Sequence, residues 1–344
     1  MKTLKIIGIS FIAILLTGCF FKRDSMENID IYTTIYPVNY LTTYLYGDYS
    51  KIHSIYPTGV EVNEFNLSDK KIKEYSKSDL FVFNSLDKER DYAIKMSIEN
   101  DNLKMIDASG YGNITYNYSV KELWLSPNNY LMMAQNIKDG LYEYVSNPYI
   151  LEEVETKYQE LNKEISKLDA NLKEAIKYAN YKTIVVDDDT FKFLENLLGE
   201  NEEFTVLSLD KTEEVTITYT VLEKDTLDKI AKEFEITKDD IINSNKLENE
   251  NIKKGQTLEI TTKTVSANTI NKVKKLIEDK KIKYIYTLDE KQNNITKEII
   301  EKYDVELIVI NDMNTIDGGV NNSNENYLTI MNNNIDLLKK ELYK

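Results

Sequence analysis

Leu151, Val154, Tyr158, Leu161, Ile165, Leu168 and Leu172 recur at spacings of three and four with charged residues between them. A stripe of that period specifies an amphipathic α-helix and fixes which face must be covered. Asn147 followed by Pro148 supplies its start, because proline fits the first helical turn where the backbone N–H has no partner. Run to about Ala179, the helix is on the order of 48 Å long at 1.5 Å per residue, enough to join two lobes. A coiled-coil dimer is the competing use of the same stripe. The patterns on either side offer sheets for it to pack on instead.

Before the helix, apolar runs alternate with amphipathic ones. Strands are expected at Ile29 to Ile35, Lys51 to Tyr56, Leu80 to Phe83 and Leu103 to Ile106, with helices such as Val38 to Tyr46 and Asp69 to Lys77 between them. Ser126 before Pro127 reads as another helix start. After the long helix the rhythm resumes: strand Thr183 to Val186, helix Phe191 to Leu198, strand Phe204 to Leu207. An interruption follows, and then helix Asn268 to Asp279, strand Ile282 to Tyr286, helix Ile295 to Tyr303, strand Glu306 to Ile310 and a closing helix from Tyr327. Such alternation implies open, largely parallel sheets with helices on their faces. The expected fold class is therefore α/β, with two open-sheet lobes joined by one long helix. The expected division is 1–18 signal peptide, 19–27 tether, 28–147 N-terminal lobe, 148–180 linking helix, 181–215 with 263–344 C-terminal lobe, and 216–262 a small domain inserted in a loop.

The chain has 344 residues, 42% hydrophobic, with a formal charge of -15. A polyanion of this kind is repelled by phosphate backbones and anionic lipid heads, which excludes nucleic acid as a natural partner and favours cations. Cys19 is the only cysteine, so no disulfide framework exists. Lys2 and Lys5, the apolar run Ile6 to Leu16, and Leu16-Thr17-Gly18-Cys19 read as a secretory signal too short to span a bilayer. The last four residues resemble a lipobox, which implies a mature protein beginning at a lipidated Cys19, outside the cytoplasm and tied to the cell membrane. An enzyme is not expected: there is no cysteine nucleophile, the only histidine is His53 in a strand, and no glycine-rich phosphate loop is present. Paired acids such as Glu122 with Asp188 are the sole catalytic alternative.

The interruption itself reads as strand, helix, helix, strand. Leu227, Ile230, Ala231 and Phe234 form the apolar face of the first helix, which Thr226 or Asp225 can cap, and Gly255 closes the loop before the last strand. Tyr219-Thr220-Val221, Asp225-Thr226-Leu227, Ile230-Ala231, Asn245 and Gly255-Gln256-Thr257-Leu258 resemble a LysM domain over nearly its whole length. That resemblance implies binding to N-acetylglucosamine-containing glycan such as peptidoglycan, through Asp225, Thr226 and Leu227 of one loop and Asn251, Ile252 and Gly255 of another. Lys224 stands where that family usually has glycine.

Outside the insert, the chain resembles the substrate-binding lipoproteins of zinc and manganese ABC importers, the ZnuA-like family. The resemblance is carried by Thr33-Thr34-Ile35-Tyr36-Pro37, Tyr56-Pro57-Thr58-Gly59 with Asn63-Glu64-Phe65, Ser78-Asp79-Leu80-Phe81-Val82-Phe83-Asn84, Glu122-Leu123-Trp124-Leu125-Ser126-Pro127, Asp188-Asp189-Thr190-Phe191, Asn311-Asp312 and the helix from Tyr327. It implies a cation held in an interlobe cleft and a permease with its ATPase as partners. Carried across position by position, the metal-ligand sites are Asn63, Glu122, Asp188 and Asp312. The family uses histidine at the first two sites, whereas every donor here is oxygen, a set that suits manganese, magnesium or calcium better than zinc. Manganese is expected first, with zinc as the second choice. The alternative is a peptidoglycan-binding structural or adhesive lipoprotein whose cleft is degenerate.

Overall fold

A computed structural model of the chain describes residues 25–57, 59–62, 64–110, 114, 116–199, 203–288, 292–314 and 325–344. The segment with Cys19 lies outside them, as does Asn63. The chain divides into two compact units. One comprises residues 1–115, 128–166 and 313–327, the other 116–127, 167–312 and 328–344.

The first unit is built on strands β1 (Ile29–Thr33), β2 (Ser50–Ser54), β3 (Leu80–Phe83) and β4 (Lys104–Asp107), all parallel in the order β2-β1-β3-β4. Parallel pairing needs a crossover between strands, and helices Tyr36–Tyr46, Asp69–Tyr75 and Glu89–Glu99 supply them. Pro37 sits in the first turn of the first, where its missing N–H costs nothing, and the Ser68 side chain accepts the Lys71 N–H at 3.4 Å to cap the second. β3 is buried along its whole length, as a strand covered on both faces must be, and its apolar run Leu-Phe-Val-Phe made it legible. Helix Pro127–Tyr144 reaches β4 at Gly140, where a Cβ would stand 2.7–2.9 Å from the Ile106 side chain.

The second unit holds β5 (Thr183–Val186), β6 (Thr205–Ser208), β9 (Tyr284–Thr287) and β10 (Glu306–Val309), parallel in the order β10-β9-β5-β6. Chain order runs outward from β5 on one side through β6 and on the other through β9 and β10, so the sheet reverses direction between β5 and β9. Ligands of open parallel sheets collect outside the carboxyl ends at such a reversal. The inserted segment forms an antiparallel pair, β7 (Glu213–Thr220) with β8 (Thr257–Thr264), and carries helices Leu227–Glu233 and Lys238–Asn245 between the strands. Its strands extend to Glu213 and Thr264, beyond the bounds expected from sequence. Its own core gathers Val221, Leu227, Ile230, Ile241, Leu258 and Ile260.

The long helix spans Pro148–Lys177, 30 residues or about 45 Å. Val154, Leu161, Ile165, Leu168 and Leu172 are at most 3% exposed within the single chain. The stripe is therefore already covered, which replaces the coiled-coil alternative. The segment expected as helix Phe191 to Leu198 is instead a 3-10 helix, Asp189–Asn196. Phe191 and Leu194 are both buried, and a spacing of three eclipses in a three-residue turn, which the tighter helix exploits.

Gly140→Ala tests the packing of helix Pro127–Tyr144 on β4. Helix propensity alone favours alanine by about 1 kcal/mol, but the contact with Ile106 leaves no room, and a net loss of roughly 1–3 kcal/mol is expected in urea unfolding. A stability gain would show that the helix stands farther from β4 than described.

Candidate functional site

The carboxyl ends of β5, β6 and β10 each release the chain into acidic residues. β5 runs directly into Asp187-Asp188-Asp189, β6 is followed by Asp210, and β10 by Asn311-Asp312. Asp187 is only 9% exposed, and its backbone N–H donates to the Tyr286 carbonyl at 2.9 Å, which extends the β5–β9 pairing by one step. Burial pushes its carboxyl up to about 6, with Asp188 and Asp210 adding to the rise and Thr287 and Asn293 opposing it. Asp210 is raised for the same first reason, desolvation. The Asn293 amide donates to the carbonyls of Leu209 at 2.9 Å and Asp187 at 3.4 Å, tying the loops after β5 and β6 together. A cavity of about 1030 Å³ opens along this edge toward the insert, with Asp187, Asp188, Asp210, Lys121 and Lys211 among its walls.

Each site residue expected from sequence has a defined placement, apart from Cys19 and Asn63, which lie outside the described residues. Asp188 is the N-cap of the 3-10 helix, its Oδ1 accepting the Thr190 N–H at 2.6 Å. Glu122 is 2% exposed and opens the short helix Glu122–Leu125. Its carboxylate accepts the backbone N–H groups of Tyr118 at 2.7 Å, Ser119 at 3.1 Å and Asn117 at 3.3 Å. Asp312 is 9% exposed, and its Oδ2 lies 2.6 Å from Lys121 Nζ. The Trp124 indole N–H donates to the Asp312 carbonyl at 2.8 Å, which draws the turn carrying Glu122 to the end of β10. Among the described residues, no three His, Cys, Asp or Glu side chains stand close enough together to hold a metal ion. His53 lies on β2, with Nε2 3.7 Å from Asp30 Oδ1 and its ring 5.3 Å from that of Tyr32.

Lys121 and Asp210 were not singled out from the sequence. Asp210 carries a usable signal, a lone acid at the carboxyl end of an apolar strand. Lys121 carries none, because its partner is remote in sequence. In the first unit, Glu89 was likewise missed. It is 1% exposed, accepts the Tyr56 hydroxyl at 2.7 Å, and is pushed up to about 7 chiefly by burial. Lys88 next to it donates to the carbonyls of Val62 and, at 2.7 Å, Phe65, holding the loop on either side of position 63.

In the insert, Thr226 is the residue that caps helix Leu227–Glu233, accepting the Lys229 N–H at 3.3 Å. Asp225 accepts from the Leu222 N–H at 2.6 Å and the Tyr219 hydroxyl at 2.8 Å, so it shapes the turn rather than capping the helix. Lys224 has φ 75°, the left-handed region that glycine enters freely, and its carbonyl accepts from Lys229 Nζ at 2.9 Å. Leu227 is 2% exposed and Ile252 packs against the insert's core. Asn251 donates its backbone N–H to the Asn249 side chain, and Gly255, at φ 80°, donates its own to the Val221 carbonyl at 2.8 Å, which sets the two loops side by side.

Residues 31–235 match the family model described as zinc-uptake complex component A, periplasmic, and residues 219–261 match the LysM domain model. The chain is 23% identical over 214 residues to the zinc-binding lipoprotein AdcA of Streptococcus pneumoniae, across 56% of this chain and 42% of that protein. It is 25% identical over 193 residues to the manganese ABC transporter substrate-binding lipoprotein PsaA of the same species, across 52% of this chain and 62% of that protein. The matches therefore span less than two thirds of either relative. Two solved structures share the fold: the Zn(II)-bound ZnuA-like domain of Streptococcus pneumoniae AdcA, with TM-score 0.61 and 18% identity, and the metal-dependent lipoprotein YcdH of Bacillus subtilis, with TM-score 0.62 and 17% identity. Each comparison covers 92% of this chain and 100% of the other.

Two outcomes follow from this geometry. Glu122→Ala deprives three part-buried amides of their charged acceptor, and it is expected to lower stability of metal-free protein by about 1–3 kcal/mol. A loss below about 1 kcal/mol would mean that the carboxylate does not hold the turn. Glu89, raised above the usual carboxylate range, is protonated in the folded state at pH values where the unfolded chain has already lost the proton. Stability is thus highest below about pH 4.5 for this group and falls as pH rises toward about 7, by up to ~3 kcal/mol. Glu89→Gln should flatten that fall, as measured by urea unfolding from pH 5 to 8; an unchanged slope would contradict it.

Proposed function

Because this chain belongs to the zinc-uptake complex component A family, we propose that it is the extracytoplasmic receptor of a metal-ion ABC importer, delivering a divalent cation to a permease and its ATPase. The family binds substrate rather than transforming it, so the protein is a receptor and not an enzyme. The donor set assigned to the cation is Asn63, Glu122, Asp188 and Asp312, whose three acids do not stand together as a metal cluster among the described residues and are brought together only by loading in this reading. Supporting it is the placement of Asp188 and Asp312 at the carboxyl ends of β5 and β10, in a sheet whose strand order reverses beside β5, with Trp124 bonding the Glu122 turn to Asp312.

Donor chemistry favours manganese over zinc in this reading. Carboxylate and amide oxygen suit the harder ions, and the single imidazole of the chain, His53, lies on β2, 3.7 Å from Asp30 of β1. Membrane attachment is assigned to a lipid on Cys19; among the described residues no helix is long and apolar enough to cross a bilayer. The LysM domain, with its paired loops around Asp225 and Gly255, is assigned to peptidoglycan, and tethering raises its effective concentration at the wall enough to make one weak module useful.

A second reading has its own observation. The Glu122 carboxylate is engaged by backbone amides and Asp312 by an ammonium group, as expected of a wall-binding lipoprotein that has given up metal capture. Melting of the metal-free mature protein with added manganese, zinc, calcium or magnesium separates the two. A ligand that binds only the folded state at 100 times its Kd stabilises by about 2.7 kcal/mol, and manganese is expected to raise the Tm most. If no metal moves the Tm while peptidoglycan sediments the protein, the second reading replaces the first.

A further inference from the structure

We infer that Lys121 sets the threshold for cation loading, its ammonium competing for the seat on Asp312 that a divalent ion takes. The inference rests on the receptor reading above and deepens it. Lys121 Nζ stands 2.6 Å from Asp312 Oδ2, and the two side chains are only 20% and 12% exposed, so water screens the attraction weakly. An ammonium in that position neutralises the carboxylate as a metal ion would, but with one charge in place of two.

The competitor is held in place by its surroundings. The Lys121 backbone N–H donates to Ser119 Oγ at 3.2 Å, and its carbonyl accepts from Trp124 and Leu125 at 3.2 and 3.0 Å. The adjacent Glu122 is fixed by the amides of residues 117–119. Asp312 is held as well, with its carbonyl on the Trp124 indole and the neighbouring Asn311 exchanging two hydrogen bonds with Asn334. A tethered cation so placed acts at high effective concentration. It lowers apparent affinity for every metal by the same factor, the fraction of molecules in which Asp312 is open. Abundant weakly bound ions then fail to load at their ambient concentration, while a tightly bound ion still does. Lys121 thus sets the concentration at which any cation loads, through occupancy of Asp312 rather than through ligation.

Trp124 provides the readout. It is the only tryptophan in the chain, is 3% exposed, and bonds directly to the Asp312 backbone. Manganese is titrated into metal-free wild type, Lys121→Met, which keeps the stem and removes the charge, and Lys121→Arg, which keeps a charge, while Trp124 emission is followed. Far-UV circular dichroism and the Tm establish that each is folded; Lys121→Gln serves if the methionine variant is not. The expected result is at least tenfold tighter manganese binding in the neutral variant, with the arginine variant near wild type. A wild type that does not respond beside a neutral variant that does would uphold the role of Lys121 and sink the receptor reading. Equal affinities in wild type and neutral variant would overturn the inference and leave that reading intact. Silence from both would overturn the two together.

Discussion

Parallel pairing is the constraint from which the rest of the second unit follows. Strands that run the same way must be joined by crossovers, so the loops leaving their carboxyl ends all gather on one edge, and the reversal between β5 and β9 opens that edge. Asp187, Asp188, Asp210 and Asp312 are all issued there, one to three residues after the ends of β5, β6 and β10. Acids gathered on one edge repel each other, and the chain answers each in a different way. Asp187 is raised toward neutrality by burial, Asp188 spends its charge on a helix start, and Asp312 takes Lys121.

Glu122 extends the same logic. A carboxylate 2% exposed is tolerated because backbone amides of its own turn surround it, and charge-assisted bonds of this kind are roughly twice as strong as neutral ones. The turn is thereby bonded to itself before any ligand arrives, and the Trp124–Asp312 bond ties it to the end of β10. In the proposed receptor, binding an ion then requires rearranging bonds that already satisfy these acids, so affinity is set by competition within the protein as much as by the donors themselves.

Much of the fold was legible because burial imposes period. The runs Leu80 to Phe83 and Thr183 to Val186 became strands with the expected bounds, and the three-and-four stripe from Leu151 became one continuous helix. Local chemistry was legible too where it stays local: Thr226 caps its helix, and Lys224, standing where glycine is usual, adopts the positive φ that such a position demands. What the sequence hid is of two kinds. The 3-10 helix at Asp189 has the composition of an α-helix and differs only in a spacing of three. The partners of Glu122, Asp312 and Glu89 are backbone amides, a lysine and a tyrosine that no periodicity links to them, so acidity was readable while its use was not.

The proposed receptor depends on a cation caged by oxygen without imidazole. X-ray absorption at the manganese edge of the loaded protein tests this most directly, because nitrogen of a histidine ring leaves a multiple-scattering signature that carboxylate and amide oxygen do not. An oxygen shell free of that signature is expected, unchanged when His53 is replaced by alanine. An imidazole signal, or manganese that washes off with no ordered shell, would contradict it.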